Sequence, residues 1–531
     1  MAKSKQETYV VRYILEEKVQ SCGDRVYAIW GDEHFTYAQI NERVNRVANS
    51  FLDLGVKKGD TVLLFMPNRK EYLFTWFGLS KIGAVEVPIN NAYRGNLLKY
   101  IVNNAESRIM VVHQSFLDRV QAIQGELEHL EKLIILADGP DIAPPQDLRF
   151  KTLPFSKLLE GSIASPPDPG IQHYDLMAIL YTSGTTGPSK GVMVPYAQVY
   201  ATMGPSIKHY GANDIYYNPF PMFHVSGQYP YYTLMVVGGC VVGREVFSIS
   251  SFWEDIDRYK CTCTLLLSSM VPFVYNQPRR EDDAQHSLNK VLMVPLIDEV
   301  EDFKERFGVQ VQTCFNMTEI STPICSDGFN LVNNKSCGRT RLGAQVRIVD
   351  EHDEEVSPHQ IGELVVRTDE PWTMNAGYWK MPEKTAEAWR NQWLHTGDGF
   401  YRDEDGNYYF VDRLKDAIRR RGENISSFEV ESEINSHPAV LECAAIAVPS
   451  EFSEDEIKAI VVLHQGKKVE PEELVRYLEP RMPYFMVPRY IEFVKELPKT
   501  PTEKVRKQVL REVGVNENTW DMVKAGIKLK K

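Results

Sequence analysis

An apolar run, Leu176-Met177-Ala178-Ile179-Leu180, passes through Tyr181 into Thr182-Ser183-Gly184-Thr185-Thr186-Gly187-Pro188-Ser189-Lys190-Gly191 and emerges as Val192-Met193-Val194. Apolar runs this short, bounded by turn residues, read as buried strands. Eight of the ten residues from Thr182 to Gly191 are Gly, Ser or Thr, the others being Pro188 and Lys190. The chain must therefore accommodate a glycine- and hydroxyl-rich loop between two strands. Glycines let backbone N–H groups turn inward and hydroxyls add further donors, so such a loop suits a phosphate group. It is not a Walker A loop, which needs Gly-x-x-x-x-Gly-Lys-Ser/Thr leading into a helix. Here Lys190 lies between Ser189 and Gly191, and a strand follows. The plain alternative is a polar surface loop, but tight Thr-Gly repetition after a buried strand favours phosphate.

At 531 residues the chain exceeds one compact core, so two or more domains are expected. The formal charge of −12 argues against a general nucleic-acid surface, though not against a local anion site. Met1 to Gln20 has no apolar signal-peptide core, and the longest apolar-leaning run, Tyr231 to Gly243, is too short to span a bilayer. A cytoplasmic location is the resulting expectation. Eight scattered cysteines form no disulfide framework, and Cys261-Thr262-Cys263, with no second ligand pair nearby, reads as reduced core rather than zinc.

Along the first half, helical and strand-like patterns alternate as in an α/β fold. Tyr37 to Leu54 carries Ile40, Val44, Val47 and Phe51 at helical spacing, and Thr61–Phe65, Ala84–Ile89 and Arg108–Val112 read as strands. Tyr72 to Ile82 reads as a packed helix. A boundary is expected near Asp412–Asp416, giving a large amino-terminal domain over 1–412 with mixed sheets and a small, mobile α/β carboxy-terminal domain over 413–531. A capping box at Ser426-x-x-Glu429 signals a helix start just beyond that boundary.

Further motifs stand in order after the loop. Phe315-Asn316-Met317-Thr318-Glu319 offers a carboxylate where phosphate-bound magnesium would need oxygen ligands. Trp393-Leu394-His395-Thr396-Gly397-Asp398 offers a carboxylate that could accept from two vicinal hydroxyls, although alone it is a turn. Arg413 follows in Val411-Asp412-Arg413. Pro498-Lys499-Thr500-Pro501-Thr502-Glu503-Lys504 brings a lysine ahead of a helix, by itself most simply a solvated residue. With Pro221-Met222-Phe223-His224-Val225-Ser226-Gly227 and Gly377-Tyr378-Trp379, this series resembles the adenylate-forming enzymes: acyl- and aryl-CoA ligases, luciferases and peptide-synthetase adenylation domains. The likeness covers nearly the whole chain, and its nearest branch is the crotonobetaine/carnitine–CoA ligases.

The resemblance implies the following roles. Thr182, Ser183, Gly184, Thr185, Thr186, Gly187 and Lys190 would grip the ATP phosphates. Phe315 and Asn316 would meet adenine, with Asn316 standing where glycine is common. Thr318 would touch phosphate and Glu319 would hold Mg²⁺, with Thr186 in the Mg²⁺–phosphate vicinity. Asp398 would accept from the ribose hydroxyls, and Arg413 would contact ribose or phosphate. Phe223, His224 and Gly227 would border the acyl pocket. Lys415 would be the hinge and Lys504 the lysine of adenylation, with Glu503 where glycine is usual. Thr186, Glu319 and Lys504 would thus be catalytic. Arg420, Arg421 and Gly422, beside Lys415, would meet CoA; the rival reading is a solvated basic face. The implied activity is ATP-dependent ligation of a small carboxylic acid to CoA through an acyl-AMP, with no nucleic-acid partner and no membrane span. Alternatives are an enzyme loading a separate carrier protein, a luciferase-like oxygenase, and a silent nucleotide-binding module. No carrier domain follows Lys504, which favours free-standing ligation.

Overall fold

The computed structural model describes residues 4–182, 189–268, 270–413, 418–420, 423–425, 427–449, 455–482, 484, 486–500 and 504–529, in backbone only at 413, 419, 423, 424 and 429. The chain divides into two compact units, one of Met1–Val346 and Val366–Leu394, the other of Arg347–Val365 and His395–Lys531. The hinge position Lys415 lies outside the described residues.

The first unit holds two seven-stranded sheets. One runs in the order Lys151–Pro154, Lys132–Leu136, Ile109–His113, Thr61–Phe65, Val85–Pro88, Leu176–Thr182, Lys190–Pro195. All its pairs are parallel except the last, an antiparallel hairpin at the edge. The other runs Gln310–Gln312, Lys290–Val294, Cys263–Leu267, Ile215–Asn218, Cys240–Gly243, Val26–Trp30, Glu33–Thr36, again parallel with one antiparallel edge.

Three helices fill the space between the inner faces of these sheets: Tyr37–Asp53, Lys70–Ile82 and Val225–Val237. Thr36 and Gln39 form a reciprocal capping box that starts the first helix. Its apolar stripe, Ile40, Val44, Val47 and Phe51, is fully buried, each side chain contributing roughly 1.5–3 kcal/mol. The second helix is buried all round from Tyr72 to Ile82 and mostly apolar, as suits a helix between two sheets, and Gly83 ends it in the left-handed conformation at φ 69°. The outer sheet faces carry separate apolar clusters, packed under Gly95–Ala105 and Leu117–Ile123 on one and Ile249–Tyr259 and Val300–Phe307 on the other. The result is mixed α/β, as the sequence predicts. Tyr229, Tyr231 and Tyr232 are all buried in the central layer.

In the second unit, strands Val440–Pro449, Asp455–Leu463, Tyr490–Val494 and Trp520–Asp521 form one sheet, with helices Ser427–Asn435 and Pro471–Leu478 in its apolar cluster. The helix start expected at Ser426 is realised at Ser427; Ser426 is outside the described residues. No helix among the described residues is long and apolar enough to cross a membrane.

Candidate functional site

The predicted strand–loop–strand is present. Thr182 pairs with Lys190 and Tyr181 with Gly191, so both ends of the phosphate-type loop are fixed by ladder register. Ser183, Gly184, Thr185, Thr186 and Gly187 lie outside the described residues. Gly191 is required by packing: a Cβ there would stand 2.8 Å from Ile179 and 3.3 Å from the Cβ of Trp379. That closeness lets the segment Gly377-Tyr378-Trp379 run alongside the second strand. Met193 N donates to Gly377 O at 3.0 Å, and Trp379 N to Gly191 O at 2.7 Å.

Tyr378 joins three parts of the sequence. Its hydroxyl donates to Glu319 Oε1 at 3.2 Å, and the Lys190 ammonium stands 4.8 Å from its ring centroid, within cation–π range. Burial, reinforced by the neighbouring Glu319 carboxylate, pushes the phenol well above its ordinary pKa, so it remains a donor. Glu319 is nearly buried, and its backbone carbonyl accepts from Asn375 N at 3.2 Å. The Thr318 carbonyl accepts from buried Gln198, on the helix Tyr196–Ile207 that follows the strand Lys190–Pro195, at 2.9 Å. Phe315 pairs with Ile324 in a short antiparallel ladder, and both Phe315 and Asn316 are half-buried. Lys190 and Glu319, predicted separately, are thus gathered around one tyrosine to which the sequence alone assigned no role.

The Pro221–His224 turn leads into the helix Val225–Val237, with His224 as its N-cap: Nδ1 accepts from Ser226 N at 3.2 Å. Gly227 allows the turn to close, since a Cβ would fall 2.2 Å from Pro221 O. Beneath it lies a polar floor not read from the sequence. Asn68 donates to Phe220 O and accepts from Met222 N, both at 2.7 Å, and Gln228 Nε2 donates to Met222 O at 2.9 Å and Glu86 Oε1 at 2.8 Å. Glu86 is completely buried with no cation beside it among the described residues, and burial drives its carboxyl far above the usual range. Phe223 and His224 are half-buried.

In the second unit Asp398, on the strand Leu394–Arg402, lies directly opposite Arg413, on Tyr408–Arg413. Asp398 is buried, and the bend before it is held by Gly397 N donating to Glu363 at 2.9 Å and Thr396 Oγ1 to Leu364 O at 2.7 Å. Lys504 is exposed, its N–H donating to Thr500 Oγ1 at 3.1 Å. Arg420 is not on a solvated basic face. It is buried, ion-paired with Glu456 at 2.6 Å and donating to Val487 O at 2.9 Å. Arg421 and Gly422 lie outside the described residues.

The chain is a member of the AMP-binding enzyme family, as an AMP-forming acid–CoA ligase: the AMP-binding enzyme family model matches residues 15–379, and the AMP-binding enzyme C-terminal domain matches 429–504. It is 33% identical over 512 residues to a crotonobetaine/carnitine–CoA ligase of Salmonella arizonae, covering 93% of this chain and 95% of that one. The corresponding Escherichia coli ligase is 33% identical over 491 residues, covering 90% and 93%. Among solved structures, an anthranilate CoA ligase in complex with anthranoyl-AMP superposes with a TM-score of 0.85 at 26% identity, covering 95% and 97%. ATP-bound MatB from Rhodopseudomonas palustris superposes at 0.83 and 25% identity, covering 95% and 99%.

Proposed function

We propose that the chain activates a small carboxylic acid of the betaine type. The contact of Tyr378 with both Glu319 and Lys190 carries this reading, because it gathers the phosphate loop's lysine and the carboxylate of the Thr-Glu motif. In the first step a carboxylate oxygen of the acid attacks the α-phosphorus of ATP, the bond to the bridging oxygen breaks, and pyrophosphate leaves. In the second the CoA sulfur attacks the acyl carbonyl and AMP leaves. Thr182, Thr186 and Lys190, with Ser183, Gly184, Thr185 and Gly187, hold the departing phosphates. Phe315, Asn316 and Thr318 seat the nucleotide, and Asp398 and Arg413 hold its ribose. Lys504, a compact mobile cation, offsets the charge of two anions meeting.

Glu319 fits magnesium: it is a hard oxygen donor, oriented by a neutral phenol and with no cation paired to it among the described contacts. Glu319 and Thr186 would hold the ion, which when bound neutralises phosphate charge.

The carboxy-terminal segment 413–531, turning at Lys415, serves the two steps in succession. The betaine-type acid is proposed from the relatives' names. Because Tyr231 and Tyr232 are buried, Phe223 and His224 on the turn are the aromatic faces offered to it. The test is pyrophosphate release across crotonobetaine, carnitine, short-chain, medium-chain and aryl acids, with CoA or a phosphopantetheinyl carrier as acceptor. Release confined to aryl acids would overturn the betaine assignment. Release that follows the carrier and ignores CoA would overturn CoA as the natural acceptor of this chain.

A further inference from the structure

The turn that carries Lys504 is tied down on both flanks. Thr500 N donates to Lys504 O and Arg506 N to Pro498 O, each at 2.7 Å, so the two legs are cross-linked by backbone. On the incoming leg, Lys499 pairs with Glu442 at 2.6 Å, on the strand Val440–Pro449. On the outgoing leg, Lys507 pairs with Glu431 at 2.8 Å, on the helix Ser427–Asn435. Lys507 also donates to Ser427 Oγ. From there the chain of contacts runs inward. Ser427 donates its N–H to Asp412 Oδ2 at 2.9 Å and its hydroxyl to the same oxygen, while Glu431 Oε1 accepts from Ala445 N at 2.7 Å. Asp412 and Ser427 are buried, and the Lys507 and Glu431 side chains are only 16% and 17% exposed.

The cluster brings together parts of the chain far apart in sequence. Asp412 is the last residue but one of the strand Tyr408–Arg413, which precedes Lys415 in sequence, and Ser427 begins the next helix, so one hydrogen-bonded pair joins the two elements. Lys507 is the cation that this pair and Glu431 share. Removing it leaves two carboxylates close together, and the cause is visible in Glu431: burial raises its carboxyl, Lys507 lowers it, and Asp412 raises it again.

We propose that Lys507 is a positioning residue for adenylation, fixing where the Lys504 ammonium stands by tying the outgoing leg of its turn to Glu431 and, through Ser427, to Asp412. This rests on the reading of Lys504 given above. Lys504 is exposed on a flexible four-carbon stem, so its reach is decided by where the turn holds its backbone. Lys499–Glu442, a more exposed pair, is the weaker tether.

The test uses the full chain as Lys504→Ala, Lys507→Met and Lys507→Arg. Three quantities are measured: acid-dependent ATP–pyrophosphate exchange, CoA-ester formation from supplied acyl-AMP, and Tm. Misplacing a reacting group by about 1 Å can cost a hundredfold, so Lys507→Met is expected to slow exchange about tenfold or more. Ester formation from acyl-AMP should stay near the wild-type rate, and Lys507→Arg should restore most of the exchange. Equal loss of both half-reactions with a lower Tm would make Lys507 purely structural and overturn the proposal. Wild-type exchange in Lys507→Met, with Lys504→Ala inactive, would overturn the positioning role alone. Wild-type exchange in Lys504→Ala would remove the reading on which it rests.

Discussion

Tyr378→Phe tests the centre of the site, because it removes one atom and keeps the ring. The lost bond is a buried hydroxyl donating to the Glu319 carboxylate at 3.2 Å. Hydrogen bonds to charged groups contribute about 1.5–3 kcal/mol, and 3.2 Å is long for O–H···O, so the lower figure applies. About 1.4 kcal/mol is tenfold, and the expected loss in adenylation is therefore roughly tenfold. The phenylalanine ring still faces the Lys190 ammonium, so the cation–π contact at 4.8 Å survives. Tyr378→Leu removes that as well, at a further cost of about 0.5–2 kcal/mol. The assay is acid-dependent ATP–pyrophosphate exchange over a range of magnesium concentrations, with Tm measured on each variant. Because the hydroxyl orients the carboxylate proposed to hold magnesium, Tyr378→Phe should also raise the magnesium concentration needed for half-maximal exchange. Wild-type exchange and magnesium dependence in Tyr378→Phe, alongside an inactive Glu319→Gln, would show that the hydroxyl does nothing for the carboxylate. An active Glu319→Gln would refute the role of Glu319 itself.

Glu86→Gln should stabilise the protein increasingly as pH rises. The folded-state pKa of Glu86 is raised, so the folded state holds a proton that the unfolded chain releases, and wild-type stability falls by about 1.4 kcal/mol per pH unit above the unfolded value until the folded pKa is passed; parallel denaturation curves at pH 6 and pH 8, taken as round experimental values on the order of a unit either side of neutrality, would refute this. Gly227→Ala places a Cβ 2.2 Å from Pro221 O, a backbone atom that cannot yield cheaply. The expected result is a loss of about 1–3 kcal/mol in denaturant titration and a raised Michaelis constant for the acid, with that for ATP unchanged. Arg420→Met leaves buried Glu456 with the longer contact to Arg489, at 4.0 Å, as its remaining ion pair among the described residues, and the carboxy-terminal unit should lose about 3 kcal/mol, the low end for a broken buried pair. A raised Michaelis constant for CoA with unaltered Tm would instead make Arg420 a CoA contact.

What the sequence discloses about this fold is set by the range of the interaction concerned. The hairpin around the loop is legible because its signals are local: two apolar runs and a glycine- and hydroxyl-rich stretch between them. The helix from Tyr37 is legible for the same reason, its capping box and stripe lying within one segment. The Tyr378–Glu319 bond is not, because it joins residues 59 apart through a hydroxyl that has no periodicity to betray it. Glu86 misleads more actively. It sits in Val85–Pro88, where alternation would turn it toward water, yet all four residues are buried because this strand is covered on both faces. Arg420 misleads in the opposite sense: three consecutive arginines read as a solvated run, but it is drawn inward by Glu456, 36 residues on in the sequence count and invisible to any local window. The assignment of Arg347–Val365 to the second unit has the same origin, since it depends on which distant strands those residues join. Local patterning therefore recovers the scaffold and the groups presented on its loops. The polar contacts that aim those groups, such as Tyr378 on Glu319, Gln228 on Met222 and Lys507 on Glu431, arise only from the packing of elements far apart in the chain, and it is these that the substitutions above single out.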